Sequence, residues 1–114
     1  MPSKNFILTQ PEQAFLGKLV FSCGVNALIE DNELIVTHLV RKLELYRGGD
    51  WGDICEEDWQ CNIDTIKSPE SGGRIMGAYK LHDGTKIWIM TSGYGNHKLG
   101  IDYCYTTVLF PSEY

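Results

Sequence analysis

The residues best placed for chemistry lie in one short run, Gly48-Gly-Asp-Trp-Gly-Asp53. Asp50 and Asp53 are carboxylates three residues apart, beside Gly49 and Gly52, whose backbones accept unusual angles; together with Asp58 they could supply oxygen ligands to a hard cation such as Mg²⁺. The same residues also have a purely architectural explanation. Gly49 would end one helix, Asp53 would cap the next, Trp51 would plug the corner, and acids gather at helix N-termini for electrostatic reasons alone. We expect the architectural role, with no resident metal and no cofactor. Calorimetric titration with Mg²⁺ and Mn²⁺ separates the two readings.

Other chemistry-bearing residues form no recognised set. The chain has no Cys-x-x-Cys or His-Glu-x-x-His, and the spacing of Cys55 and Cys61 matches none of the usual zinc motifs. A zinc site from Cys55, Cys61, Cys104 and His38, or a nucleophilic Cys104 served by His97 or His38, would have to be assembled in space. Nothing local asks for either, and buried, unbridged thiols are the expectation. The loop Gly93 to Gly100 lacks the context and the Gly-Lys-Ser/Thr ending of a phosphate cradle. Its length still makes Tyr94, Asn96 and His97 candidates for partner contact.

The elements that must position these residues are legible in part. Apolar Ile35, Val36, Leu39, Val40, Leu43 and Tyr46 recur at helical spacing, predicting a helix over Asp31 to Tyr46 that stops at Gly48-Gly49 and turns Thr37, Arg41 and Glu44 to water. A second helix is expected from about Glu56 to Lys67, with Trp59, Ile63 and Ile66 on its buried face and Glu56 and Glu57 facing solvent. Ser68 to Gly73 reads as a loop, and Gly24 to Ile29 as a turn or one helical turn. Arg74 to Leu81 and Lys86 to Thr91 form a hairpin about Asp83-Gly84, a pairing that sets Tyr79 opposite Trp88; Tyr103 to Phe110 is a third strand. Asn5 to Thr9 and Lys18 to Ser22 are short extended runs. The predicted architecture is α+β, a three- to four-stranded antiparallel meander with two helices packed on one face.

With 114 residues, 43% of them hydrophobic and 22% charged, the chain suits a single domain over residues 1–114 that folds unaided. The net charge of −5 has a location: Asp50, Asp53, Glu56, Glu57 and Asp58 fall within nine residues that hold no Lys or Arg, and the rest of the chain carries ten acids and ten bases. Bases scattered singly or in pairs argue against direct nucleic-acid binding. No apolar run is long enough to span a bilayer and the N-terminus lacks a secretory signal, so a cytoplasmic, non-membrane protein with four free thiols is expected.

Several ordered blocks, Gly49-Asp-Trp-Gly-Asp53 with Asp58 and Asn62, Gly73-Arg-Ile-Met-Gly-Ala-Tyr79, Ile87-Trp-Ile-Met-Thr91, Thr106-Thr-Val-Leu109 and Pro111-Ser-Glu-Tyr114, together give a resemblance covering about residues 35 to 114. The chain resembles a family of small uncharacterised proteins of bacterial plasmids and integrated mobile elements, often labelled "plasmid-related protein" or "type I restriction endonuclease subunit M". The second label does not fit these residues, since the chain has no Pro-Pro pair for an adenine-methyltransferase motif and is too short for a cofactor-binding sheet domain. Where relatives have a histidine before the acidic block this chain has Tyr46, and where they continue Thr-Glu and then Asp-Arg-Ser it has Thr91-Ser92, an insertion through Gly100, and Asp102-Tyr103-Cys104. Any catalytic set built on that histidine, glutamate and arginine would be lost here.

The family brings no established activity with it; small size, concentrated acid and absent catalytic motifs, joined to the mobile-element setting that the resemblance implies, lead us to expect a non-catalytic accessory factor of a mobile genetic element that binds a protein partner, as an inhibitor of a host defence system of the anti-restriction or anti-CRISPR type would. The alternative is a small metal-assisted hydrolase or nuclease using Asp50, Asp53 and Asp58.

Overall fold

A computed structural model describes residues 17–68, 74–94 and 104–114. The elements run β1 (Lys18–Phe21), α1 (Cys23–Asp31), α2 (Ile35–Arg47), α3 (Glu56–Lys67), β2 (Ile75–Lys80), β3 (Lys86–Ser92), β4 (Tyr105–Leu109) and a C-terminal 3-10 turn (Pro111–Glu113). The expected strand at Asn5 to Thr9 and most of the loop expected at Ser68 to Gly73 lie outside the described residues.

The protein is α+β, and β2, β3 and β4 form the expected antiparallel meander. Two features differ from expectation. The sheet order is β1-β4-β3-β2 and β1 joins β4 in parallel, with Lys18 beside Tyr105 and Phe21 beside Val108, so the sheet is mixed. Among the described residues three helices, not two, line the core.

The additional helix, α1, takes up the segment read as a turn. Its start is built by long-range contacts: Ser22 Oγ accepts from Val25 N at 3.2 Å and donates to Glu113 Oε1 at 2.6 Å, while Glu113 also accepts from Gly24 N (3.0 Å) and Phe110 N (2.8 Å). These hydrogen bonds, that from Ser22 foremost, hold the Glu113 carboxyl below the usual glutamate range. Because the folded value is lowered, the clasp is fully present above the ordinary glutamate range and is lost as the pH falls through the lowered value. Unfolding measured against pH should therefore find wild type more stable than Glu113→Gln at neutral pH and the two converging in acid. A gap unchanged by acid would show that the carboxylate's charge is not what holds the chain end.

Asp31 closes α1 and does not open the next helix. Asn32 N bonds Leu28 O at 3.0 Å and Asn32 Oδ1 accepts from Leu34 N at 3.1 Å, so the turn at 32–34 divides what the apolar period presented as one helix. In α2, Ile35, Leu39, Leu43 and Tyr46 are buried and Thr37, Arg41 and Glu44 exposed, as expected; Val36 and Val40 are 43% and 47% exposed. The helix ends by wrapping onto itself: Gly49 N bonds Tyr46 O, Asp50 N bonds Leu45 O, and Gly49 takes φ +96°, the left-handed residue this termination needs.

The hairpin register is one residue from that expected. Tyr79 faces Ile87, and Trp88 faces Ala78. The loop has three residues rather than two, closed by Gly84 N to Leu81 O (2.9 Å) and Leu81 N to Thr85 O (2.8 Å), with Gly84 at φ +89°. A two-residue Asp-Gly turn would need positive φ at Asp83 too, whereas this loop leaves the left-handed position to glycine alone. Since side chains alternate between faces, the shift sends Tyr79 into the core and Trp88 to the opposite face.

The core face of the sheet comprises Ile75, Tyr79, Ile87, Ile89 and Val108, packed with Val25, Leu39, Tyr46, Trp51 and Trp59 from the helices and the corner between them. One polar cluster lies inside it. Tyr46 Oη is 2.7 Å from Thr91 Oγ1 and donates to Ile75 O at 3.0 Å, and Thr91 Oγ1 is 2.7 Å from Thr106 Oγ1 on the neighbouring strand. Burial pushes the Tyr46 phenol far up, so it stays a neutral donor that ties α2 to three strands.

Candidate functional site

The acidic corner between α2 and α3 is built against the exposed margin of β2. A strand at the margin of a sheet leaves alternate N–H and C=O groups without strand partners. Here Ala78 N donates to Trp51 O (3.0 Å) and Asp53 N donates to Ala78 O (2.7 Å), a single parallel bridge between Gly52 and Ala78. Two residues earlier, the Asn62 amide from α3 does the same work with a side chain: Nδ2 donates to Met76 O at 2.7 Å and Oδ1 accepts from Met76 N at 3.1 Å. Thr65 Oγ1, also on α3, lies 3.5 Å from Arg74 O. The margin of β2 is thereby sealed at Met76 and Ala78 by the corner and one face of α3.

Trp51 is completely buried and meets Trp59 edge to face with 5.5 Å between centroids, the anchoring role expected of it. Tyr79 Oη donates to Asp50 O at 2.7 Å, and burial pushes that phenol far up as well. Asp50 Oδ1 accepts from Gly52 N at 3.2 Å, shaping the turn. Asp53 does not cap α3, contrary to expectation. The N-cap is Cys55, which makes no side-chain cap bond, and the acidic first turn of Glu56, Glu57 and Asp58 complements the helix dipole instead. Glu56, Glu57 and Asp58 are exposed.

Among the described residues no three of His, Cys, Asp or Glu converge as metal ligands, so Asp50, Asp53 and Asp58 are not gathered into one such group. No disulfide joins the four cysteines, and Cys23, Cys55 and Cys61 are exposed, not buried as expected. Cys104 is partly buried, and burial pushes its thiol up, away from a thiolate nucleophile. His38 stacks on His82, centroids 4.2 Å apart. Tyr94, expected to offer itself to a partner, is 4% exposed and belongs to the core, whereas Asn96 and His97 lie outside the described residues. Sequence reasoning gave Asn62 no role as a strand cap, yet it had a signal: it is a polar residue three positions from Trp59, on the helix face that is otherwise apolar.

No described helix is long and apolar enough to cross a membrane. No family model, curated protein or solved structure matches the chain.

Proposed function

We propose that this protein is a non-catalytic binding factor that docks a basic protein partner through the acidic first turn of α3, and that it serves a mobile genetic element, where its effect is to inhibit a host defence complex. The observation that carries the reading is that Glu56, Glu57 and Asp58 reach solvent from a helix fixed by Trp59, Asn62, Ile63 and Ile66, with no Lys or Arg from Gly48 to Ile66 to neutralise them. The helix dipole accounts for acids at this end. It does not require three exposed in succession beside an exposed Asp53. A rigid, uncompensated negative surface speeds encounter with a positive one and repels nucleic-acid phosphates.

The test is affinity capture from the native host with wild type and Glu56→Lys/Glu57→Lys, followed by association kinetics on the protein recovered. Neither side chain contributes to the core, so the double variant keeps its fold. We expect it to associate about tenfold or more slowly and with a flatter salt dependence. Equal capture and equal rates would remove the acidic turn from the function.

A further inference from the structure

The face of the sheet turned away from the core carries a second feature, which shares only Asp53 with the acidic corner. By register, Ala78 and Trp88 face each other on it and so, one pair nearer the hairpin tip, do Lys80 and Lys86. A hollow of about 520 Å³ opens here, and those four residues, Pro111 and Asp53 are among those that line it, with Tyr79 and Ile87 at its floor on the strands between. Its volume lies within the range of small-molecule sites.

Two lysines directly opposite on one face repel each other and lower hairpin stability, and both are exposed beside the hollow. Among the described residues neither has a carboxylate partner within ion-pair distance. Trp88 is half-buried, held edge-on by Tyr114 with 5.5 Å between centroids, and Tyr114 is itself fixed by Arg74, whose Nη1 donates to its hydroxyl at 2.6 Å. The indole is thus steadied from the chain end while it still lines the hollow.

We infer that the hollow formed by Lys80, Lys86, Ala78, Trp88, Pro111 and Asp53 is a binding site for a mononucleotide. The charge of a phosphomonoester, between one and two negative units at neutral pH, matches two ammonium groups better than a single carboxylate does. Trp88 and Pro111 give a flat base an apolar surface to stack on, and the Asp53 carboxylate can accept from a sugar hydroxyl or an exocyclic amine.

The test is calorimetric titration of the whole protein with adenosine monophosphate, and with adenosine and inorganic phosphate separately. Saturable binding of the mononucleotide is expected, at least about tenfold tighter than either part. Lys80→Gln/Lys86→Gln should weaken it by about tenfold or more while the melting temperature holds or rises, because the repulsion is relieved. Trp88→Leu, checked for folding by its melt, should weaken the mononucleotide but not phosphate. No saturable binding up to about 5 mM, a weak limit for a specific site, would overturn the assignment. So would binding indifferent to the lysine pair, or phosphate alone binding as well as the nucleotide. A 5′-phosphorylated oligonucleotide binding much tighter than the mononucleotide would overturn it in favour of a nucleic-acid end.

Discussion

Trp51→Ala lowers the stability of the protein by about 3–5 kcal/mol, the range for truncating a large aromatic in a packed core. The side chain has no exposed surface and sits where α2, α3 and β2 meet, so alanine leaves a cavity that three elements would have to collapse together to fill. About 0.5–1.5 kcal/mol of the loss is the edge-to-face contact with Trp59. Urea unfolding of variant and wild type measures the difference. A loss below about 1 kcal/mol, ordinary for a surface position, would mean that Trp51 is not the anchor of the corner.

Gly52→Ala is expected to cost more than its one added methyl suggests. Gly52 has φ +73°, and a Cβ there would stand 2.0 Å from Ala78 O and 2.9 Å from Tyr79 Cδ1. The left-handed backbone alone costs a non-glycine residue about 1–2 kcal/mol. The clash is with a main-chain carbonyl, which no rotamer change relieves, so the bridge to Ala78 must open and its two hydrogen bonds go with it, at about 0.5–1.5 kcal/mol each. We expect a total near 3 kcal/mol or above. Gly84→Ala is the control: φ is similar, at +89°, but nothing lies within 4 Å of the added carbon, so only the backbone cost applies. Hydrogen exchange should also find the Ala78 amide unprotected in Gly52→Ala while the Met76 amide, held by Asn62, stays protected. Equal losses for the two glycine variants would show that the bridge contributes nothing.

What could be read from the residues, and what could not, follows the range of the interactions involved. The burial of Ile35, Leu39, Leu43 and Tyr46, of Trp59, Ile63 and Ile66, and of Trp51 itself was legible, because each depends on local periodicity or on a large apolar side chain in a tight corner. The start of α1 was not: its N-cap serine is completed by Glu113, 91 residues away, and its apolar period is only one turn long, Val25, Leu28 and Ile29, of which Val25 alone is fully buried. The direction of β1 depends on its pairing with β4 near the other end of the chain. The hairpin shows how little separates success from failure. Asp83-Gly84 was the correct turn, but one residue of loop length put Tyr79 and Trp88 on opposite faces, and so hid the hollow on the outer face. The acidic corner was recognised as architecture, but for capping a helix when its backbone closes a strand.

That closure takes the β2 margin of the sheet, at Met76 and Ala78, out of reach of other strands. Met76 and Ala78 have their outward main-chain groups taken by Asn62 and the corner, whereas among the described strands β1, at the opposite margin, has only β4 beside it. At Met76 and Ala78 a strand from another molecule therefore finds no unpaired main-chain donor or acceptor. Growth of the sheet into a fibre by addition at that margin is denied, so the corner acts as a chain terminator on the β2 side.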